Sequence, residues 1–165
     1  MPSQVWVHRD SLDGNQRHQT GLVHNAYTQV VLDKMFLNEG GYWDVTTSRF
    51  YPPAGKAFIL FTNIWYRENF QSPAGGQTAN PTIKFTVNGD YLSLGAVPGW
   101  TPAGFPATAG AFMATCGRLN EGDWVQLLAW SNSKNYDPVG NPAPTDVMID
   151  GRYEHTWLKA LIFDD

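Results

Sequence analysis

The sequence predicts an all-β domain in which two antiparallel sheets pack as a sandwich. Three observations predict it. Sixteen glycines and eleven prolines are spread among short apolar runs. Several of those runs alternate apolar with polar residues, the period of a half-buried strand. No long stretch holds a clean 3.6-residue period, so helix is a minor component at most. At 165 residues and 18.4 kDa the chain is expected to form a single domain over 1–165, burying roughly 70% of the surface its unfolded form exposes.

The elements follow in order. Gln4 to Arg9, QVWVHR, reads as a first strand with Val5 and Val7 on one face and Trp6 and His8 on the other. Ser11 to Gly21 is polar and loop-like. Thr28 to Leu37, TQVVLDKMFL, interrupts apolar runs with Asp33 and Lys34, which predicts a strand that faces the core and then turns outward. Gly40 and Gly41 supply the positive φ of a sharp reversal, and Pro52 and Pro53, unable to donate to a ladder, mark the corner before the next strand. Lys56 to Tyr66, KAFILFTNIWY, is apolar almost throughout and reads as a strand buried on both faces. Arg67 to Pro81 is a loop of about fifteen residues, longer than most connections and hence a candidate recognition loop.

Thr82 to Leu94 reads as a hairpin turning at Asn88-Gly89, the dipeptide that right-twisted strands favour. Ala96 to Gly110 is irregular and carries Pro98, Trp100, Pro102 and Pro106. Ala111 to Leu119 and Asp123 to Ser131 are strands around Asn120-Glu121-Gly122. A third long loop, Asn132 to Asp146, precedes a turn at Asp150-Gly151 and a last strand, Arg152 to Phe163. About ten short strands with three long loops are what a two-sheet antiparallel jelly roll contains.

Within this pattern, Asn38-Glu39-x-Gly41-x-Trp43-Asp44, followed by Thr47, Phe50, Pro53, Gly55 and an apolar strand, resembles the opening half of the complement C1q globular head and its tumour-necrosis-factor-like relatives. Leu119 to Leu127, LNEGDWVQL, resembles that family's acidic turn and following strand, and His155 to Asp165, HTWLKALIFDD, resembles its closing strand. The resemblance implies a jelly roll that forms a homotrimer through one face of its inner sheet. The residues add support: the Lys56–Tyr66 strand sets Phe58, Leu60 and Ile64 against Ile59, Phe61 and Trp65, whereas a lone sandwich needs one apolar face. Phe58, Leu60, Ile64 and Trp157 are the expected subunit contacts. The alternative is that a loop of the same chain covers the second face.

A net charge of −4 and a pI near 5.4, with no cluster of Lys or Arg, remove the electrostatic footprint of nucleic-acid binding. Cys116 is the single cysteine, so no intrachain disulfide forms, and it is expected to be a small buried hydrophobe. The N-terminus lacks the basic start and apolar run of a signal peptide, and no run reaches membrane-spanning length, so cytoplasmic synthesis without membrane insertion is expected. The absence of an Asn-x-Ser/Thr acceptor and of a collagen-like segment fits a microbial or viral origin better than a serum protein.

Little in the sequence points to catalysis. Histidines 8, 18, 24 and 155 form no metal-ligand spacing, and no Gly-x-Ser-x-Gly elbow is present. Glu121 and Asp123 read as carboxylates of a solvated turn rather than an acid and base. Asp137, Asp146 and Asp150 could offer oxygens to calcium, which the resemblance makes worth asking, but their spacing matches no calcium loop; no metal or other cofactor is expected. Trp43, Trp65, Trp124, Trp130 and Trp157 lie in strand patterns and are expected in the core. Trp100 and Tyr136 lie in long polar loops, and with Asp137 and Asn141 they form a candidate sugar-binding set, in which a ring stacks on the sugar and polar groups bind its hydroxyls.

The expected function is therefore a non-catalytic homotrimer of a phage or phage-like particle, such as a head spike, decoration protein or fibre tip, that binds host polysaccharide. Its expected partners are copies of itself, other particle proteins and that polysaccharide, and its expected place is the particle surface. The rivals are a ligand or adhesion module of the same fold that binds a protein receptor, and a small polysaccharide-active enzyme.

Overall fold

The computed structural model of the chain describes residues 1–9, 19–22, 26–67, 82–96, 109–130, 147–149 and 156–164. Two antiparallel sheets face each other across one core. The first contains β1 (Ser3–His8), β2 (Gln19–Leu22), β4 (Lys34–Asn38), β7 (Ala57–Arg67), β10 (Ala109–Gly117), β12 (Val147–Ile149) and β13 (Trp157–Phe163). Its order is β2-β12-β7-β13-β1-β4, with β10 on the other edge of β7. The second contains β3 (Thr28–Gln29), β5 (Trp43–Asp44), β6 (Arg49–Phe50), β8 (Thr82–Val87), β9 (Asp90–Ala96) and β11 (Val125–Trp130). Its order is β5-β6-β11-β8-β9, and β3 pairs with β11 beyond β6.

Alternation decides what each strand buries. Val5 and Val7 of β1, Ile83 and Phe85 of β8, Val125, Leu127 and Ala129 of β11, and Leu158, Ala160 and Ile162 of β13 all point inward. The expected Thr28–Leu37 strand is divided. β3 belongs to the second sheet and β4 to the first, and Val30 and Leu32 enter the core where the chain crosses between them. At the other end of the core Phe50 and Phe58, one from each sheet, meet edge to face with ring centroids 5.6 Å apart.

Two buried hydroxyls bond to backbone carbonyls of other strands. The Thr62 hydroxyl donates to the Trp157 carbonyl at 2.7 Å, and the Tyr66 hydroxyl crosses between the sheets to the Thr82 carbonyl at 3.1 Å. Burial pushes the Tyr66 phenol above its ordinary range, which favours the protonated donor form. Tyr66→Phe is expected to lower stability by about 1–2 kcal/mol, because the Thr82 carbonyl loses a partner in the interior; denaturant unfolding measures it.

The residues that carry the family resemblance are structural. The Asn38 side-chain amide donates to the Trp43 carbonyl at 3.1 Å and accepts from the Trp43 N–H at 3.0 Å, closing the 38–43 turn as a strand partner would. Glu39 accepts from the Gln4 N–H at 2.7 Å and ties that turn to β1. Asp44 accepts from the Thr46 N–H and the Thr47 hydroxyl, each at 2.8 Å. Gly40 and Gly41 take φ of 78° and 71°, as the reversal requires.

Candidate functional site

The expected sugar-binding residues Trp100, Tyr136, Asp137 and Asn141 lie outside the described residues, as do Asp146 and Asp150. Among the described residues no group of three or more His, Cys, Asp or Glu side chains could hold a metal ion. No helix of the described residues is long and apolar enough to cross a membrane.

The described residues do show the outer face of the first sheet. On β7 the inward positions are Phe58, Leu60, Thr62 and Ile64, and the outward ones are Ile59, Phe61, Asn63 and Trp65. Register lays out the rest. Phe112, Asn63, Trp157 and His8 form one row across β10, β7, β13 and β1. Ala114, Phe61, Lys159 and Trp6 form the next, and Cys116, Ile59, Leu161 and Gln4 the one after. Trp6 extends its row to Leu37 of β4.

At that point the β1–β4 register shifts, pairing Trp6 with Leu37 and Val7 with Met35 and leaving Phe36 as the extra residue of a bulge. A bulge re-aims side chains, and Phe36 stacks on the Trp6 ring at 4.8 Å while staying 63% exposed. Phe112 is 59% exposed and meets Trp157 edge-on at 6.4 Å. Lys159 stands between these aromatic groups, its ammonium 3.7 Å from the Trp6 ring centre and 5.3 Å from that of Trp157. The result is a mostly apolar face crossing five strands with one cation near its middle.

Three of the expected subunit contacts are therefore corrected. Phe58, Leu60 and Ile64 are at most 1% exposed and pack inside the chain's own core, where no neighbouring subunit reaches them. Trp157 lies on the opposite, half-buried outer face. A strand apolar on both sides does not reveal which parity faces inward, although Asn63 sharing the Phe61 parity is a usable signal. The Lys56–Tyr66 strand is consequently buried on one face and half-buried on the other.

Two further expectations change for the same reason. Cys116 is exposed, because it shares its parity on β10 with the outward Phe112 and Ala114. Of the five strand tryptophans only Trp43 is in the core; Trp65, Trp124, Trp130 and Trp157 are half-buried on outer faces.

One end of the sandwich is closed by turns. Asn88 and Gly89 take φ of 51° and 91°, the hairpin turn that their sequence predicts. The Asn88 amide donates to Asp123 at 2.6 Å and accepts from the Trp124 N–H at 3.0 Å, and Asp123 also accepts from the Asn120 N–H at 2.9 Å. The Asn88 amide followed by that N–H hold the Asp123 carboxyl below the usual carboxylate range. Because its folded value is the lower one, its contribution is present at neutral pH and is lost as acid protonates it. Asp123→Asn should flatten that acid limb of the stability-against-pH curve, and an unchanged limb would remove Asp123 from the account. Glu121 in the same turn is exposed, and this Asp123 network is a turn lock.

No family model matches the chain, and no curated protein sequence matches it. Solved structures do. The chain is similar to Eiger TNF from S. frugiperda, at 12% identity and TM-score 0.59 over 99% of this chain and 94% of that one. It is similar to murine APRIL at 10% identity and TM-score 0.61, covering 99% of this chain and 100% of that one. It is also similar to the globular domain of zebrafish complement 1qA, at 8% identity and TM-score 0.55, covering 99% and 98%. With two antiparallel sheets in this order, the chain has the C1q/TNF-like jelly-roll fold.

Proposed function

We propose that the protein is a non-catalytic homotrimeric structural and recognition component of a phage or phage-like particle, a head spike, decoration protein or fibre tip, that binds host cell-surface polysaccharide. The observation that carries the reading is the outer face of the first sheet, where Phe36, Leu37 and Phe112 stand exposed beside Trp6, Phe61 and Trp157. A continuous apolar face of this kind marks an interaction surface, and a second and third copy of the chain would cover it. The Trp6 indole N–H, buried on that face, has no acceptor among the described residues, and a neighbouring subunit could supply one.

Particle membership is supported by small size, acidic charge and a chain whose single cysteine rules out an intrachain disulfide. It would be made in the host cytoplasm and displayed on the particle surface beside other structural proteins. Trp100, Tyr136, Asp137 and Asn141 remain the proposed sugar contacts.

The test is to incubate the protein with capsular and lipopolysaccharide fractions while measuring both retention and fragment release, and to ask whether the chain co-purifies with intact particles. Retention without cleavage, on purified particles, supports the reading. Fragment release would make it an enzyme. The likeness to Eiger, APRIL and the C1q head favours a second reading, a ligand or adhesion module for a protein receptor, which neither retention nor cleavage would indicate.

A further inference from the structure

The outer face of the second sheet has a different chemistry. Its outward positions along β11 are Gln126, Leu128 and Trp130, with Trp124 just ahead of the strand. Register sets Arg49 of β6 beside Gln126, and Lys84 of β8 and Gln29 of β3 on either side of Leu128. Amide and cationic groups thus alternate with half-buried rings, where the first sheet offers mainly hydrocarbon.

The two cations are placed alike. The Arg49 guanidinium lies 3.8 Å from the centre of the Trp124 ring, and the Lys84 ammonium 3.8 Å from that of Tyr27, which is 40% exposed. Among the described residues neither has a carboxylate within ion-pair distance, and the buried Arg49 Nε has no acceptor. The neighbouring acids are engaged elsewhere. Asp44, opposite Arg49 in the β5–β6 register, gives one oxygen to the Thr46 N–H at 2.8 Å and the other to the Thr47 hydroxyl at 2.8 Å. Asp123 is held by Asn88 and Asn120.

On a chain of net charge −4, this leaves two cations on one sheet face without an acidic partner among the described residues. Strand spacing puts them about 12 Å apart, one on each side of β11 and two residues along it. Stacking on a ring also fixes a cation's position before a ligand arrives, which lowers the ordering cost of binding.

We infer that this face binds an acidic polysaccharide, its carboxylate or sulfate groups engaging Arg49 and Lys84 while sugar rings lie over Leu128 and Trp130. The inference rests on the polysaccharide reading above and assigns the ligand's charge and contact residues other than Trp100 and Tyr136. In the proposed trimer the first-sheet face is covered by other copies, and this one stays outward.

Calorimetric titration with polygalacturonate, dextran and a single-stranded DNA tests it. Polygalacturonate is expected to bind and neutral dextran not to. Arg49→Gln and Lys84→Gln should each weaken binding about tenfold, and the double variant about a hundredfold, as expected for charge-assisted hydrogen bonds at separated positions. Circular dichroism and light scattering on the same samples check that the variants keep fold and mass. If Trp100→Ala with Tyr136→Ala abolishes binding while the Arg49/Lys84 double variant binds as before, the sheet surface is overturned and the polysaccharide reading stands. If no saccharide binds the unaltered protein, both fall. DNA bound as tightly as polygalacturonate, and lost in the same variants, would make the face a general polyanion surface and overturn the saccharide inference.

Discussion

If the proposed trimer forms, replacing Phe61 and Phe112 together by glutamate is expected to convert it into single chains of 18.4 kDa that keep their β-rich spectrum. Both rings lie on the outward face of the first sheet, Phe61 beside Lys159 and Phe112 against Trp157. Each loses about 2 kcal/mol of apolar burial in the contact and leaves a carboxylate that would have to be desolvated there, at a further cost of several kcal/mol. Since about 1.4 kcal/mol is a tenfold change in association, the assembly should weaken by at least a thousandfold. The isolated chain gains two solvated charges on an open surface, which its own core does not notice. Sedimentation and circular dichroism, run on one sample, separate dissociation from unfolding.

Phe58→Ala should do the reverse. That ring touches Phe50 across the sandwich at 5.6 Å and is 1% exposed, so its loss opens a cavity inside one chain. The expected cost is about 3–5 kcal/mol, which lowers the melting temperature by roughly 6–20 °C in a domain of this size. Any residual folded protein should keep the native mass. A Phe58→Ala variant that dissociated into stable single chains would mean that Phe58 lies at the contact after all, and the assignment of faces on β7 would be inverted.

These two variants also mark what the sequence discloses. The strands whose two faces differ in polarity, QVWVH and TIKFTV, show their inward parity directly, and Val5, Val7, Ile83 and Phe85 are buried as that alternation requires. The Asn88-Gly89 hairpin and the resemblance motif are legible because local chemistry fixes them: the Asn38 amide brackets Trp43, and Asp44 caps its own turn.

β7 is different. With apolar residues on both sides, its parity is set by partners distant in sequence, Leu158, Ala160 and Ile162 of β13 inward and Trp157, Lys159 and Leu161 outward. Lys159 and Asn63 do carry the signal, since neither is readily buried without a partner. The exposed Phe36 had no such sign, because a bulge depends on the register of β1 against β4. The same dependence explains the tryptophans: Trp124 and Trp130 fall on the outward parity of β11, where Arg49 covers the first of them. The proposed sugar contacts Trp100, Tyr136, Asp137 and Asn141 lie outside the described residues.

The outward face of the first sheet is proposed to be a contact between copies of this chain. The most direct measurement is the solution mass of the unaltered protein by multi-angle light scattering across a dilution series. Three chains of 18.4 kDa predict a species of about 55 kDa that persists at low concentration. A single species near 18 kDa at every concentration would contradict it, leaving Phe36, Leu37 and Phe112 exposed for some other purpose.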